Sequence, residues 1–156
     1  MGDSTYKQGG YCIMEFNLVV PGIELVGTTV KTLTIGNNIV DVEKEAKRSF
    51  GLNINEPHFE ETNDVFFAQM TIDFEIDIEQ SENQNCQIQL SLEGAFISSS
   101  DVDKDTFRQL VIVNGAAAII GIARGKIETI TSNVFNNGKI VIPFINVIDY
   151  YKSLSE

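Results

Sequence analysis

The sequence predicts an α+β fold, in which a four-stranded antiparallel sheet with a crossover segment is covered by a long helix and a short C-terminal helix. Two observations support this prediction. Apolar and polar residues alternate from Val65 to Gln80 and again from Cys86 to Phe96, as in two long antiparallel strands with one dry face. The stretch from Phe107 to Tyr151 instead carries apolar and small residues at helical spacing.

The chain has 156 residues, of which 43% are hydrophobic, and is long enough to bury one core. We therefore expect a single domain over residues 1–156, in which residues 1–23 form an extension of uncertain structure. The stretch from Tyr11 to Val20 has no clear period and fits either a short helix or an edge strand, and Pro21 and Gly22 end it.

Three further segments precede the long hairpin, whose connection is predicted at Ser81 to Asn85. Glu24 to Ile35 is rich in Val, Thr, Leu and Ile and is followed by Gly-Asn-Asn, which predicts a strand that ends in a turn. Ile39 to Phe50 predicts a short helical turn or an ordered loop that crosses the sheet. Leu52 to Phe59 predicts a strand whose end is disturbed by Pro57.

The long helix is expected to begin near Asp105, after a polar loop from Ser98 to Asp101 that can supply its N-cap. A turn at Asn136-Asn137-Gly138, an extended piece from Lys139 to Ile142 and a terminal helix opened by Pro143 follow it. The core face of the long helix is predicted to hold Ile119, Ala123, Ile127, Ile130 and Val134.

Three small residues, Ala117, Gly121 and Gly125, recur at four-residue intervals on one face of this helix. Glycine inside a helix costs about 1 kcal/mol relative to alanine, so the stripe indicates that another backbone approaches closely. Two interpretations remain open: the stripe is a contact between subunits, or it faces the protein's own sheet.

The composition limits the classes of partner. Twenty-two acidic residues against eleven basic ones give a formal charge of −11, which disfavours nucleic acid and anionic membrane surfaces. The most apolar run, Leu110 to Ala123, is about fourteen residues long, whereas a bilayer-spanning helix needs roughly twenty, so we expect no membrane insertion. Cys12 and Cys86 form no CxxC motif, which favours a reducing cytoplasm without a disulfide framework or zinc site.

Three features of the sequence could suggest a catalytic or metal-binding site, but none has the residues or the spacing that such a site requires. Gly121 to Lys126 (GIARGK) lacks the glycine spacing of a phosphate loop. His58 is the one histidine, and its place near a strand end gives no support to a catalytic triad. Asp73, Glu75 and Asp77 lie on a straight strand rather than in a loop that could wrap a calcium ion. We therefore expect no enzyme activity, no catalytic or metal-binding residue and no cofactor.

Three short motifs occur along the chain in a fixed order. Glu93 to Ile97 (EGAFI) closes the predicted hairpin, Ala123-Arg124 lies in the long helix, and Ile140 to Pro143 (IVIP) is followed by Ile145-Asn146. Together with the predicted order of strands and helices, these motifs resemble the bacterial export chaperone SecB and its SecB-like relatives. The resemblance covers most of Val26 to Leu154.

This resemblance implies a homotetramer, made as a dimer of dimers, with the long helices sandwiched between two sheets and the stripe Ala117, Gly121 and Gly125 as its candidate interface. It also implies that non-native polypeptides are held in apolar grooves. The groove residues expected by position are Val40, Val42, Phe50, Leu52, Ile54, Ile145, Ile148 and Tyr151. For each of them the alternative is that the side chain closes the core of its own domain.

The expected function is an ATP-independent molecular chaperone, a holdase that binds unfolded or export-competent polypeptides. The family also implies the Sec translocation ATPase as a partner. However, Gly121 stands where a proline often precedes the Ala-Arg pair, and the acidic zinc-contacting tail is absent beyond Glu156, so we expect a divergent SecB-like chaperone. The alternatives are a dedicated chaperone of a single partner, such as an antitoxin, and a small-ligand-binding or structural assembly domain.

Overall fold

The computed structural model describes residues 6–8, 11–13 and 20–155. The strands within these residues are β1 Tyr6–Gln8, β2 Tyr11–Ile13, β3 Ile23–Asn37, β4 Lys47–Ile54, β5 His58–Thr62, β6 Val65–Ser81 and β7 Gln84–Ser98. The helices are α1 Lys104–Leu110, α2 Ala116–Val134 and α3 Val147–Leu154, and a π-helical turn, Val111–Gly115, joins α1 to α2.

One antiparallel sheet has the strand order β3–β7–β6–β4, with β5 also paired to β6. The α+β class is therefore confirmed, but the sheet has five strands instead of the predicted four. The difference arises because the chain breaks at Asn55 to Pro57, so that β4 and β5 replace the predicted strand Leu52 to Phe59. The strand β4 already begins at Lys47, so the end of the predicted crossover segment Ile39 to Phe50 is strand and not a helical turn or loop. Ile54 pairs with Ile72 and His58 pairs with Gln69, which is a shift of one residue in register.

The hairpin of β6 and β7 forms the centre of the sheet, as the alternating pattern predicts. Every second side chain of both strands is buried on one face, because the period of a strand is two. The buried residues of this dry face are Ala68, Met70, Ile72, Phe74, Ile76 and Ile78 on β6, and Cys86, Ile88, Leu90, Leu92 and Phe96 on β7. The opposite face carries Asp73, Glu75 and Asp77.

The helix from Lys104 to Val134 is continuous through the π-helical turn. Its N-cap is Asp103, whose side chain accepts a hydrogen bond from the Thr106 N–H at 2.7 Å. The predicted polar loop, Ser98 to Asp101, lies just upstream of this cap and does not supply it. Within the π-helical turn, Gly115 lies against the ring of Phe96, and a Cβ there would be 3.0 Å from the ring.

By length and composition alone, the helix Lys104–Val134 could cross a membrane. The prediction of no membrane insertion considered only the most apolar run, Leu110 to Ala123, whereas the helix as a whole has 31 residues. One face of the helix packs on β6 and β7, which accounts for the apolar character of that face. Its buried residues are Phe107, Val111, Gly115, Ala116, Ile119, Ile120, Ala123, Ile127 and Thr131, whereas Ile130 and Val134 of the predicted core face are half-buried.

After α2 the chain turns at Gly138, which has a φ of +99°, and runs back along the helix in an extended conformation. Thr131 on α2 accepts a hydrogen bond from the Ile140 N–H at 2.8 Å, and Ile140 and Ile142 are buried. The terminal helix α3 begins later than predicted. Its N-cap is Asn146, whose side chain accepts from the Asp149 N–H at 3.0 Å, so Pro143 lies in the extended segment and not in the helix.

The N-terminal strands β1 and β2 pair with each other in a separate two-stranded sheet. The type of the stretch Tyr11 to Val20 was left open by the sequence. Its first three residues are β2, and residues 14–19 lie outside the described part of the chain.

Candidate functional site

An apolar groove lies between β4 and the extended segment that follows α2. It has a volume of about 220 Å³. Its floor and walls are formed by Phe50, Gly51, Leu52, Phe74, Ile76, Ile142, Pro143 and Ile145, and we call it the β4 groove. Phe50 is 41% exposed, so the groove opens to solvent through an apolar side chain.

One wall of the β4 groove is held by Arg124 from α2. Its Nε donates a hydrogen bond to the carbonyl oxygen of Ile142 at 2.9 Å, and its Nη2 donates to that of Pro143 at 3.1 Å. Pro143 cannot donate from its own backbone and Ile142 is buried, so the guanidinium fixes the extended backbone from the helix side.

Phe144 is the most exposed large apolar residue in the described part of the chain, at 93%. Its ring lies against the Arg124 guanidinium, whose central carbon is 4.6 Å from the ring centroid. Phe144 itself does not line the β4 groove, although its neighbours Pro143 and Ile145 do. An aromatic side chain is thereby exposed on the segment that forms the groove wall.

Of the predicted client-binding residues, three line the β4 groove: Phe50, Leu52 and Ile145. Ile54 is only 7% exposed and belongs to the core, which was the alternative considered for each residue. On α3, Ile148 is 53% exposed and Tyr151 is half-buried, and neither residue lines the groove.

The predicted residues of the crossover segment, Val40 and Val42, lie against the turn after α2. The carbonyl oxygen of Val40 accepts from the Asn136 N–H at 2.7 Å, and the Val42 N–H donates to the Asn137 carbonyl oxygen at 3.0 Å. Val40 is 62% exposed, whereas Val42 is half-buried against Gly138. The structure therefore places these two residues beside that turn, outside the lining of the β4 groove.

Helix α3 closes the end of β4. The Ile54 N–H donates to the hydroxyl oxygen of Tyr150 at 3.0 Å, and the Tyr150 and Tyr151 rings meet edge to face with centroids 5.4 Å apart. Burial raises the pKa of Tyr151, with smaller contributions from Tyr150 and Glu56, so its phenol stays neutral at physiological pH.

A second apolar surface lies on the other side of the molecule, between α2 and the edge strand β3. It is lined by Val30, Gly121, Ile122, Gly125, Lys126, Thr129 and Ile130 around a depression of about 550 Å³, and we call it the β3–α2 face. A Cβ added at Gly121 or Gly125 would meet no atom within 4 Å. The glycines therefore do not pack tightly against the protein's own sheet, and Ala117 of the same stripe is exposed.

The strand β3 extends this surface. Four of its apolar residues oppose buried residues of β7, so they belong to the dry face, yet each is more than a third exposed. These four are Leu25, Val30, Leu33 and Ile35. The long helix covers β6 and β7 but leaves the β3 side of the dry face open.

The polar face of the sheet contains a hydrogen-bonded cluster around Asp73. Ser91 Oγ donates to Asp73 Oδ1 at 2.5 Å, and Asn55 Nδ2 donates to Asp73 Oδ2 at 2.9 Å. These bonds, that of Ser91 first, lower the pKa of the Asp73 carboxyl below its usual value. The cluster thus connects Asn55, in the break after β4, to Asp73 on β6 and Ser91 on β7.

The remaining candidates for chemistry lie apart. His58 is exposed at the start of β5, with its Nε2 3.2 Å from the Glu60 carboxylate, and Cys86 is fully buried, which raises the pKa of its thiol. Among residues 6–8, 11–13 and 20–155, no group of three or more His, Cys, Asp or Glu side chains is arranged to hold a metal ion.

Comparisons with known proteins show the fold. No protein-family model and no curated protein sequence matches the chain. Among solved structures, the chain is similar to a SecB-like chaperone of Mycobacterium tuberculosis in complex with a ChAD peptide from the HigA1 antitoxin. The TM-score is 0.56 at 9% sequence identity, over 80% of this chain and 91% of that chain. The protein thus has a SecB-like fold.

The sequence predictions missed part of both surfaces. Phe74 and Ile76 were assigned to the core, although they also form the floor of the β4 groove. Phe144 was not singled out, although an aromatic residue next to a proline and outside any helical period is a recognisable signal. The exposure of β3 had no such signal, because a strand rich in Val and Ile has the same sequence pattern whether or not a helix covers it.

Proposed function

We propose that this protein is an ATP-independent molecular chaperone that holds non-native polypeptides in the β4 groove. The observation that supports the proposal is a solvent-open apolar groove, with Phe50 exposed in its lining, in a SecB-like fold. Folded proteins rarely leave such surface open without a partner. Because the groove presents apolar side chains and few polar groups, it suits unfolded and export-competent chains alike.

The proposal includes an assembly of four copies, as a dimer of dimers, in a reducing cytoplasm. The β3–α2 face is apolar, is continuous with the exposed residues of β3 and carries glycines with open space above them. Small residues allow two helices to approach closely. A second copy of the chain is therefore the proposed cover of this face, which leaves the β4 groove free for clients.

A dedicated chaperone of a single partner is the second candidate. It is favoured by the similar structure from Mycobacterium tuberculosis, which was solved with a peptide from an antitoxin. Co-purification from the native host distinguishes the two: one stoichiometric partner favours the dedicated role, and a mixture of chains favours the general holdase. The same preparation tests docking to the Sec translocation ATPase.

A small-ligand-binding domain has less support. Pockets for small molecules usually measure roughly 300–1,000 Å³ and enclose most of the ligand. The β4 groove, at about 220 Å³, is smaller than this range. The depression of the β3–α2 face, at about 550 Å³, lies within the range, but a second copy of the chain is its proposed cover. A purely structural assembly domain would cover the same face and would not suppress the aggregation of a client.

The experiment that tests the proposal is dilution of a chemically denatured client into buffer, followed by light scattering. The wild-type protein at stoichiometric amounts is expected to suppress aggregation without nucleotide. Phe50→Ser should weaken the suppression because it makes the groove polar. Val26→Ser is the matched control, since Val26 is an exposed apolar residue that does not line the groove. A wild-type protein that leaves aggregation unchanged would refute the function.

A further inference from the structure

The strand β4 lies at an edge of the sheet, and two hydrogen bonds show which of its backbone groups point outwards. The Asn55 N–H, just beyond β4, donates to the Thr71 carbonyl oxygen of β6 at 3.0 Å and therefore points inwards. The Ile54 N–H donates instead to Tyr150 on α3 and points away from β6. Because backbone groups alternate sides along a strand, the N–H and C=O groups of Phe50 and Leu52 also point outwards.

These outward groups lie on an open edge. Within the described residues, β4 has β6 as its one paired strand. At its first end the strand joins the preceding loop, where the Arg48 guanidinium donates to the carbonyl oxygens of Lys44 and Glu43 at 3.3 Å each. The edge is closed at the other end by Tyr150. Between those ends, the backbone of Phe50 and Leu52 is a template for another extended chain.

The same two residues contribute their side chains to the β4 groove. A strand added beside β4 would place every second side chain on the dry face, next to Phe50 and Leu52. Those side chains would meet the wall formed by Ile142 and Ile145. Backbone pairing and apolar contact would then act on the same segment of chain.

The size of this edge argues against a second copy as its occupant. Arg48 to Ile54 spans about 20 Å at strand spacing. A contact of that length and about 10 Å wide buries on the order of 200 Å², whereas a stable protein interface buries roughly 800 Å² per partner. The β3–α2 face is the broader surface and suits the second copy, while the edge of β4 fits a single extended peptide segment.

We propose that the open edge of β4 receives an extended segment of a non-native polypeptide as an added antiparallel strand, whose alternate apolar side chains enter the β4 groove. The inference rests on the proposed chaperone function and specifies the conformation and sequence pattern that it recognises. Antiparallel addition continues the pairing of every strand in the five-stranded sheet. Clients are thus selected for alternating apolar residues and not for amphipathic helices.

The test uses a short peptide with Val at alternate positions and Ser and Lys between them, because lysine complements the acidic protein. In an antiparallel addition, the residues opposite Phe50 and Leu52 direct both their side chains to the groove and their N–H groups to β4. N-methylation of the Val residues should therefore weaken binding by at least about tenfold. N-methylation of the Ser and Lys residues should leave the affinity within about twofold of the parent peptide.

The outcomes are read by titration with a fluorescent peptide. If N-methylation of the Ser and Lys residues weakens binding instead, strand addition is still supported, but the added strand runs parallel to β4. Equal behaviour of the two methylated peptides, or no binding of the parent peptide, would overturn the inference. If the protein suppresses client aggregation while both methylated peptides bind equally, strand addition fails and the chaperone function stands.

A pair of protein variants provides the second measurement. Phe50→Pro removes an outward N–H that the sheet does not use, whereas Phe50→Ala removes the same ring and keeps that N–H. Both variants are expected to fold, as checked by circular dichroism. Phe50→Pro should bind the parent peptide at least about fivefold more weakly than Phe50→Ala. Equal affinities of the two variants would overturn the inference.

Discussion

Arg124 in the middle of α2 donates a hydrogen bond from Nε to the carbonyl oxygen of Ile142, which lies in the wall of the β4 groove. The guanidinium also bonds the Pro143 carbonyl and stacks on Phe144. One side chain therefore connects the helix that bears the glycine stripe to the segment that forms the groove. The Ala-Arg motif noted in the sequence has this structural role in the protein.

Replacement of this residue by lysine tests the connection. Arg124→Lys keeps the charge but loses the planar fork that reaches two carbonyl groups, so we expect a loss of about 1–2 kcal/mol in the free energy of unfolding. Client affinity should fall with it because the wall becomes mobile. Urea unfolding and client titration measure the two effects.

The control for that variant is Arg108→Lys. Arg108 makes an exposed ion pair with Glu56 at 3.6 Å and lies over the Phe59 ring at 5.3 Å, but it bonds no backbone carbonyl in the described residues. Exposed ion pairs contribute little and lysine keeps the cation, so the expected change is under about 0.5 kcal/mol. Equal unfolding free energies for Arg124→Lys and the wild type would show that the fork does not hold the groove wall.

The glycine stripe gives a prediction about assembly. Gly121→Leu fills open space in the single chain and replaces a poor helix former, so it should stabilise the isolated subunit by up to about 1 kcal/mol. The same side chain would separate two helices that meet at the stripe. We expect the mass measured by light scattering to fall from that of the assembly to that of a smaller species.

Gly121→Ala is the matched substitution, because a methyl group is compatible with close helix packing. It should retain the wild-type mass. If Gly121→Leu has the wild-type mass as well, the subunits meet elsewhere and the β3–α2 face has another partner.

The sequence predicts the structure of the central hairpin more closely than that of the segment between β4 and β5. The central hairpin is predicted in detail, because the alternation of apolar and polar residues from Val65 to Gln80 follows directly from the burial of one face of the strand. The break between β4 and β5 is predicted only as a disturbance at Pro57, since its geometry depends on tertiary contacts. Tyr150, distant in sequence, takes the Ile54 N–H, and the Asn55 side chain bonds to Asp73. No local pattern encodes either contact.

The two candidate surfaces were also predicted only where a local sequence pattern marks them. The stripe at Gly121 and Gly125 is visible in the sequence because glycine is costly within a helix. Whether it faced the sheet could not be derived, because the orientation of α2 is set by the fit of Ile119 on Gly94 of β7. Phe50, Leu52 and Ile145 were predicted by family resemblance, and their common groove became apparent only when β4 and the extended segment were placed side by side.

The contact between Gly94 and Ile119 can be tested by adding one methyl group. A Cβ at Gly94 would lie 2.7 Å from Ile119 Cδ1 and 2.8 Å from its Cγ1, and Ile119 is fully buried. Gly94→Ala should therefore force the helix or the Ile119 side chain to move, at a cost of about 1–3 kcal/mol in unfolding free energy. Denaturant titration measures this cost.

Gly36→Ala is the control, since Gly36 is also a strand glycine but a Cβ there would meet no atom within 4 Å. It should be neutral or stabilising by under about 1 kcal/mol. Similar losses in the two variants would show that the loss at Gly94 does not come from the approach of α2.

The cluster around Asp73 predicts how stability depends on pH. Hydrogen bonds from Ser91 and then Asn55 lower the pKa of Asp73 in the folded protein. Its contribution to stability is therefore fully present above the unfolded pKa of about 3.9 and is lost as the pH falls through the lower folded value. Ser91→Ala removes the main bond and should cost about 1 kcal/mol at pH 7, because Asp73 is only half-buried.

That cost should shrink as the pH falls through the lowered folded pKa of Asp73, since protonation of Asp73 weakens the bond in the wild type as well. Urea unfolding at neutral and acidic pH measures the difference between the two proteins. Gln89→Ala, on the same face of β7, is the control and should show no change of this difference with pH. A pH-independent cost for Ser91→Ala would mean that Ser91 stabilises the sheet by packing and that the carboxylate of Asp73 does not fasten the break after β4.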